Sequence, residues 1–296
     1  MTEERAGGAP RRVTVVEVGP RDGLQNEPAR VPTAVKVAFV EALAAAGLPT
    51  VETTSFVNPA AVPQLADADA VVRAVRRRPG VRYPALVPNP RGLERALAAG
   101  VPAIALFTAA TEAFAQANVR GSIEETFARF GPVVARARAE GLWVRGYVSV
   151  AFGCPYEGAV APAAVLGVAR RLLDLGCAEV ALADTIGAAT PEAVDALLDV
   201  ALAHLPVDRL ALHFHDTRGR AIANVAAGLA RGITVFDGAA GGLGGCPFAP
   251  GAPGNLATEE LVAFLDRQGI ETGVDRAAVI DAVAGLRAGM AGAGTG

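Results

Sequence analysis

Val144-Arg-Gly-Tyr-Val-Ser-Val150, then Pro162-Ala-Ala-Val-Leu-Gly-Val-Ala-Arg-Arg-Leu-Leu-Asp-Leu175, then Glu179-Val-Ala-Leu182 follow one another in the second half of the chain. The outer two are short and mostly apolar, as strands are when a parallel sheet buries both their faces. The middle one is a longer run rich in alanine and leucine, and reads as a helix. Strand, helix, strand is the repeating unit, and the alternation continues in both directions. Upstream, strands are predicted at 13–18, 50–53, 82–86 and 103–107, with helices at 33–46, 63–78, 91–99 and 122–140. The last of these helices opens on Ser122 followed by two acids, a favourable N-cap. Downstream, Thr190-Pro191-Glu192 opens a helix with a cap and a first-turn proline. Strands at 210–213 and 234–236 follow, with helices at 219–231 and 258–268.

Eight such units, with one more helix near 275–288, predict an α/β chain folded as a closed (β/α)8 TIM barrel with a C-terminal extra helix. An open doubly wound sheet is the alternative. No G-x-G-x-x-G follows the first strand, which removes the usual dinucleotide reading. Residues 13–288 form a single catalytic domain in this reading, and 1–12 and 289–296 are expected to be disordered tails.

Composition narrows the class. The chain has 296 residues, 52% of them hydrophobic, with a formal net charge of −3. That balance gives no electrostatic case for nucleic acid or for an anionic membrane. No apolar run is long enough to span a bilayer, and the N-terminal Met-Thr-Glu-Glu-Arg does not resemble a signal peptide. Three cysteines without disulfide or metal spacing point to a reducing, cytoplasmic setting.

In a barrel of this kind, chemistry gathers where strands end. Arg21-Asp22 follows strand one, Glu52 lies on strand two and Asp184 ends strand six. His213 and His215 end strand seven. Cys246 and Asn255 belong to the glycine- and proline-rich stretch after strand eight, Gly-Gly-Leu-Gly-Gly-Cys246-Pro-Phe-Ala-Pro-Gly-Ala-Pro-Gly-Asn255-Leu. Strands one, two, seven and eight become neighbours once the barrel closes, so these residues converge on one mouth.

His213 and His215 are two apart, and in extended chain their side chains share a face, opposite Phe214. Two imidazoles and the Asp22 carboxylate suit a hard six-coordinate cation such as Mg²⁺ or Mn²⁺, with Zn²⁺ an alternative. A thiol in a glycine-rich loop has no packing reason to be there, so Cys246 is read as chemical and its loop as a lid. Cys154 and Cys177 are read as structural. The single lysine, Lys36, falls in the helix after strand one, where it cannot serve as a Schiff-base amine at the mouth. Any carbon–carbon bond chemistry here requires a metal.

Taken in order, Val-Gly-Pro-Arg21-Asp22-Gly-Leu-Gln-Asn-Glu, Glu52-Thr-Thr-Ser55-Phe-Val, Gly-Cys-Pro-Tyr-Glu-Gly, Asp184-Thr-Ile-Gly, His213-Phe-His215-Asp-Thr, Gly-Leu-Gly-Gly-Cys246-Pro and Gly-Asn255-Leu-Ala-Thr-Glu resemble the 3-hydroxy-3-methylglutaryl-CoA lyase family across nearly the whole chain. The resemblance implies cleavage of that acyl-CoA thioester to acetyl-CoA and acetoacetate with a divalent cation, Mg²⁺ or Mn²⁺. It implies a homodimer, a place in leucine breakdown, and Asp22, His213, His215 and Asn255 as metal ligands. Arg21 would stabilise the enolate oxygen, with Glu52, Asp184, His213 and Cys246 in the catalytic or orienting set. Condensing synthases that share the chemistry are the nearest alternative. Ala181, Ala183 and Arg218 depart from the family's usual Ser, Gly and aromatic residue, which bears on the acyl group accepted.

Overall fold

The computed structural model describes residues 10–245 and 254–293. Among them are nine strands: β1 Thr14–Glu17, β2 Thr50–Val51, β3 Thr54–Ser55, β4 Pro84–Leu86, β5 Ala103–Ala109, β6 Trp143–Ser149, β7 Glu179–Asp184, β8 Leu210–Phe214 and β9 Val235–Gly238. The helices between and after them are α1 Thr33–Ala45, α2 Ala68–Ala74, α3 Pro90–Ala99, α4 Glu112–Val119, α5 Ile123–Ala139, α6 Pro162–Leu175, α7 Pro191–Leu202, α8 Ala221–Ala230, α9 Thr258–Arg267 and α10 Arg276–Ala293.

All the strand pairings are parallel, in the order β2-β1-β9-β8-β7-β6-β5-β4-β3. The first and last members are two pieces of one extended segment, separated only by Glu52 and Thr53. Val16 pairs with Thr50 on one side, and Ser55 pairs with Leu86 on the other. Backbone bonds carry the pairing through the break, Glu52 N–H to Glu17 C=O at 2.8 Å and Thr53 N–H to Pro84 C=O at 2.9 Å. The sheet therefore closes on itself, and β2 with β3 form one of eight staves of a TIM-barrel-like fold.

Alternation along each stave sorts its residues into two cores. Val16, Val18, Leu86, Ala105, Tyr147, Ala181, Ala211, Val235 and Ala239 fill the lumen. Their neighbours, among them Val15, Ile104, Val148, Leu182, Phe214 and Phe236, face outward into the larger layer between strands and helices. Phe214 is 1% exposed and lies 5.7 Å from Phe152, ring centre to ring centre. Burying such a ring contributes roughly 1.5–3 kcal/mol. It also fixes the register that turns His213 and His215 inward.

Local signals held where their chemistry is local. Ser122 caps α5 with a reciprocal pair, Glu125 N–H to Ser122 Oγ at 3.1 Å and Ser122 N–H to Glu125 Oε2 at 2.8 Å. A cap of this kind is worth about 1 kcal/mol. The helix predicted over 63–78 is instead a single turn at Pro63–Leu65 followed by the short α2. Its start is bent toward α1, where the Lys36 ammonium bonds Asp67 Oδ1 at 2.6 Å and also meets the Gln64 carbonyl. Its end is cut because the Arg76 N–H turns to Glu41 Oε1 at 2.8 Å. The helix α4 was not anticipated. Near the start of the described chain, Arg12 bridges to Glu271, and the Glu271 N–H bonds the Arg11 carbonyl at 3.0 Å. The last helix continues through Ala293, past the boundary predicted at 288.

Candidate active site and metal centre

Immediately after β1 the chain makes a π-helical turn, Gly19–Gly23. One carbonyl, that of Val18, receives the N–H groups of Arg21 (3.1 Å), Asp22 (2.7 Å) and Gly23 (3.3 Å). Such single wide turns are rare and recur at functional sites. This one presents Arg21 and Asp22 together at the barrel mouth.

From the opposite side, β8 delivers His213 on its inward face and His215 one step beyond its end. Their ring centres are 5.3 Å apart. Asn255 arrives from the segment before α9, which is zipped to the end of β8: Leu256 N–H bonds Phe214 C=O at 3.0 Å and Asp216 N–H bonds Gly254 C=O at 2.7 Å. Ligand atoms from Asp22, His213 and His215 all lie within 4.8 Å of one another. The Asn255 amide nitrogen donates to Asp22 Oδ2 at 2.9 Å and to the Leu243 carbonyl at 3.0 Å. Asn255 Oδ1 and His215 Nδ1 are buried with no hydrogen-bond partner. Two unpartnered buried polar atoms beside a carboxylate and a second imidazole are what a divalent cation would satisfy. Asp22, His213, His215 and Asn255 would hold it.

The electrostatics favour the ligand forms. Burial disfavours the charged Asp22, yet Arg21, His213, His215 and the Asn255 bond outweigh it and bring its carboxyl down to about 2. Burial, reinforced by His213, lowers His215 to about 4. A carboxylate and a neutral imidazole are thus ready at neutral pH.

Glycine serves this geometry at Gly244. Its φ is +96°, and a Cβ there would lie 2.6 Å from Asn255 Nδ2. A side chain would be strained by the backbone and would push the amide away.

Arg21 is held as firmly. Its Nε donates to Glu52 Oε1 at 2.8 Å, its Nη2 to Glu52 Oε2 at 3.3 Å, and its Nη1 to Asp22. Glu52 is wholly buried and accepts a further bond from Tyr147 Oη at 2.8 Å. A cleft of about 520 Å³ opens over these groups, bordered by Arg21, Asp22, Tyr147, His213, His215 and Gly245. A second concavity, about 600 Å³, lies between α1 and α10 around Ala38, Phe39 and Ala282, away from the mouth.

The structure brings Arg21, Asp22, Glu52, His213, His215 and Asn255 together. Asp184 ends β7 at the same mouth, but its carboxylate turns into the following loop. There it accepts the N–H groups of Ala188 (2.7 Å) and Ala189 (3.0 Å). Burial outweighs those bonds and raises it to about 6. Cys246 lies outside the described residues. Cys154 is buried under Thr111 Oγ1, at 3.2 Å, and burial pushes the Cys177 thiol up to about 12.

Sequence reasoning missed Tyr147, Arg145 and Asp237, which stand in the lumen below the mouth. The available signal was an arginine two residues before Tyr147, hence on the same face, in a strand that otherwise reads as apolar.

With this geometry in place, the chain can be set beside known proteins. The model of the HMGL-like family matches residues 12–284. The chain belongs to the HMGL-like family. A curated relative, the mitochondrial hydroxymethylglutaryl-CoA lyase of Rattus norvegicus, is 51% identical over 93% of this chain and 85% of its own length. Among solved structures, the HMG-CoA lyase of Bacillus subtilis superposes with a TM-score of 0.94 at 44% identity, covering 96% of this chain and 95% of that one. The HMG-CoA lyase of Acinetobacter baumannii, solved with coenzyme A and 3-methylmalate, gives 0.90 at 38% identity, covering 95% and 92%.

Proposed function

We propose that this chain is a carbon–carbon lyase that cleaves 3-hydroxy-3-methylglutaryl-CoA to acetyl-CoA and acetoacetate, using Mg²⁺ or Mn²⁺. The observation that carries the reading is the convergence of Asp22, His213, His215 and Asn255 beside the Arg21–Glu52 pair. The identity to named lyases supports the substrate, and the relative solved with coenzyme A supports a CoA thioester.

Bound at the four donors, a divalent cation supplies Lewis acidity toward the tertiary alcohol that must lose its proton. The chain's own residues do the rest. Cleavage leaves negative charge on the oxygen of a thioester enolate. Three of the five N–H groups of Arg21 are engaged by Glu52 and Asp22, which leaves two for that oxygen. A guanidinium keeps its charge throughout, so the stabilisation needs no proton transfer. Glu52 fixes its plane, and Tyr147 fixes Glu52. Asp184 belongs to the orienting set through the loop it bonds.

An acid must then protonate the enolate carbon. Cys246 fits that part, since a thiol can be tuned toward neutrality and its chain neighbour Gly245 borders the cleft. A cytoplasmic setting is supported by the free thiols of Cys154 and Cys177. Among the described residues no helix is long and apolar enough to cross a membrane. A homodimer and a place in leucine breakdown belong to the reading by resemblance, and sedimentation tests the first.

The deciding experiment follows acetoacetate from 3-hydroxy-3-methylglutaryl-CoA, with metal-stripped protein and with added Mg²⁺ or Mn²⁺. Acetoacetate that depends on the cation is the expected result. No product despite cation binding would reject the substrate, and condensation of acetyl-CoA with a 2-oxoacid would identify a synthase instead.

A further inference from the structure

Below the mouth, Arg145 on β6 and Asp237 on β9 face each other inside the barrel, 92 residues apart in sequence and with side chains wholly buried. They form a two-pronged pair, Nη2 to Oδ1 at 2.7 Å and Nη1 to Oδ2 at 3.1 Å. Arg145 also bonds Glu179 Oε1 at 2.7 Å through Nε, and Tyr147 Oη at 2.7 Å through Nη1. The same Asp237 Oδ2 lies 3.2 Å from His213 Nδ1.

These contacts dictate a tautomer. The two-pronged bond to the Arg145 guanidinium uses both Asp237 oxygens as acceptors, the pairing of an ionised carboxylate. An ionised carboxylate only accepts hydrogen bonds. His213 Nδ1 must therefore carry a proton, and in the neutral ring the lone pair is left on Nε2, across the ring from Asp237.

The structure assigns Asp237 and Arg145 a positioning role: Asp237 sets the tautomer and ring angle of His213, and Arg145 sets which way Asp237 faces. The assignment rests on the metal reading above, because the Nε2 lone pair matters as a ligand. Carboxylates behind ligating histidines act in this way in general. Here a guanidinium stands behind the carboxylate. Through Tyr147 and Glu52 it also reaches Arg21, so one buried cation is tied to both the ligand imidazole and the group that meets the enolate oxygen.

The guanidinium makes Asp237→Asn diagnostic. The amide has one oxygen for three donors: at the Oδ2 place it meets Nη1 and His213 Nδ1–H but sets its NH₂ against Nη2, and at the Oδ1 place it meets Nη2 but sets its NH₂ against Nη1 and His213. Adding Arg145→Met removes the opposing donors, so the amide oxygen is free to hold the His213 Nδ1–H. A merely structural ion pair predicts no such rescue.

The chain holds three histidines, so long-range ¹H–¹⁵N spectra of the ring nitrogens resolve them in the metal-stripped full-length protein. Wild-type His213 is expected as Nδ1–H. Asp237→Asn is expected to lose the single Nδ1–H form and to bind Mn²⁺ about 10–100-fold more weakly by calorimetry, with both recovering in the double variant. A wild-type spectrum showing Nε2–H overturns the assignment without any variant having to fold. Unchanged tautomer and Mn²⁺ affinity in a folded Asp237→Asn protein overturn it as well. Wild-type protein with Nδ1–H but no Mn²⁺ binding overturns the metal reading, and with it the purpose given to the tautomer.

Discussion

The Asn255 amide nitrogen donates to the Asp22 carboxylate at 2.9 Å, across 233 residues of sequence. The bond joins the turn after β1 to the segment entering α9, and it leaves the amide oxygen buried and unpartnered. Asn255→Ala removes one proposed ligand and the brace on another. Mn²⁺ affinity should fall on the order of a hundredfold, as read by calorimetry, while the circular dichroism spectrum is preserved. His215→Ala should do the same. Unchanged titration of either variant would reject that residue as a ligand.

Tyr147 stands between Glu52 Oε2 at 2.8 Å and Arg145 Nη1 at 2.7 Å, so its hydroxyl both donates and accepts. Tyr147→Phe leaves both charged neighbours short of a partner inside the lumen. The expected cost is about 1–3 kcal/mol in denaturant unfolding. Looser positioning of Arg21 should lower kcat, with Mn²⁺ affinity little changed because no proposed ligand is touched. A variant with wild-type kcat would show that the Glu52–Arg21 pair holds without the tyrosine.

How far the sequence could be read depended on the range of the interactions. The staves and most of the helices were legible, because apolar runs, capping residues and prolines act over a few positions. His213 and His215 were legible for the same reason: spacing by two decides a shared face in any strand. Asp22 could be put after β1, but the π-helical turn that sets it beside Arg21 depends on one carbonyl collecting three N–H groups. No propensity encodes that. The break of 63–78 into two short pieces was set by Lys36 and Glu41, both on α1. Arg145 and Asp237 met only when the barrel closed, so neither residue advertised the other.

Glu17 ends β1 with no solvent exposure, and it accepts from Gly19 N–H (2.7 Å), Ala240 N–H (2.9 Å) and Thr258 Oγ1 (2.6 Å). It thereby clasps both flanks of the segment between β9 and α9. Burial dominates those bonds and, with Glu259 nearby, raises the carboxyl from 4.5 to about 7. A raised folded-state value means that the protonated form is favoured on folding. The associated stability is fully present below about pH 4.5 and is lost as pH rises through about 7. Two and a half units correspond to about 3 kcal/mol as an order of magnitude. Glu17→Gln, neutral at every pH, should flatten that part of the profile, so its stability relative to wild type improves from pH 5 to pH 8. A constant difference across that range in urea titrations would mean that Glu17 does not titrate there.

The proposed acid can be separated from the cation it works beside. Cys246→Ala removes a thiol but none of the proposed ligands, and Asn255 remains braced by Asp22 and Leu243. Mn²⁺ affinity should stay at the wild-type level while turnover falls by about 10²–10⁴, the usual contribution of a positioned general acid. Cys246→Ser keeps a hydroxyl in place of the thiol but raises its pKa far above neutrality, so it should recover little. Running both variants in ²H₂O sharpens the assignment, because proton delivery to carbon then becomes visible in the label content of acetyl-CoA. Full activity in the alanine variant would move the acid to another group and leave the metal set untouched.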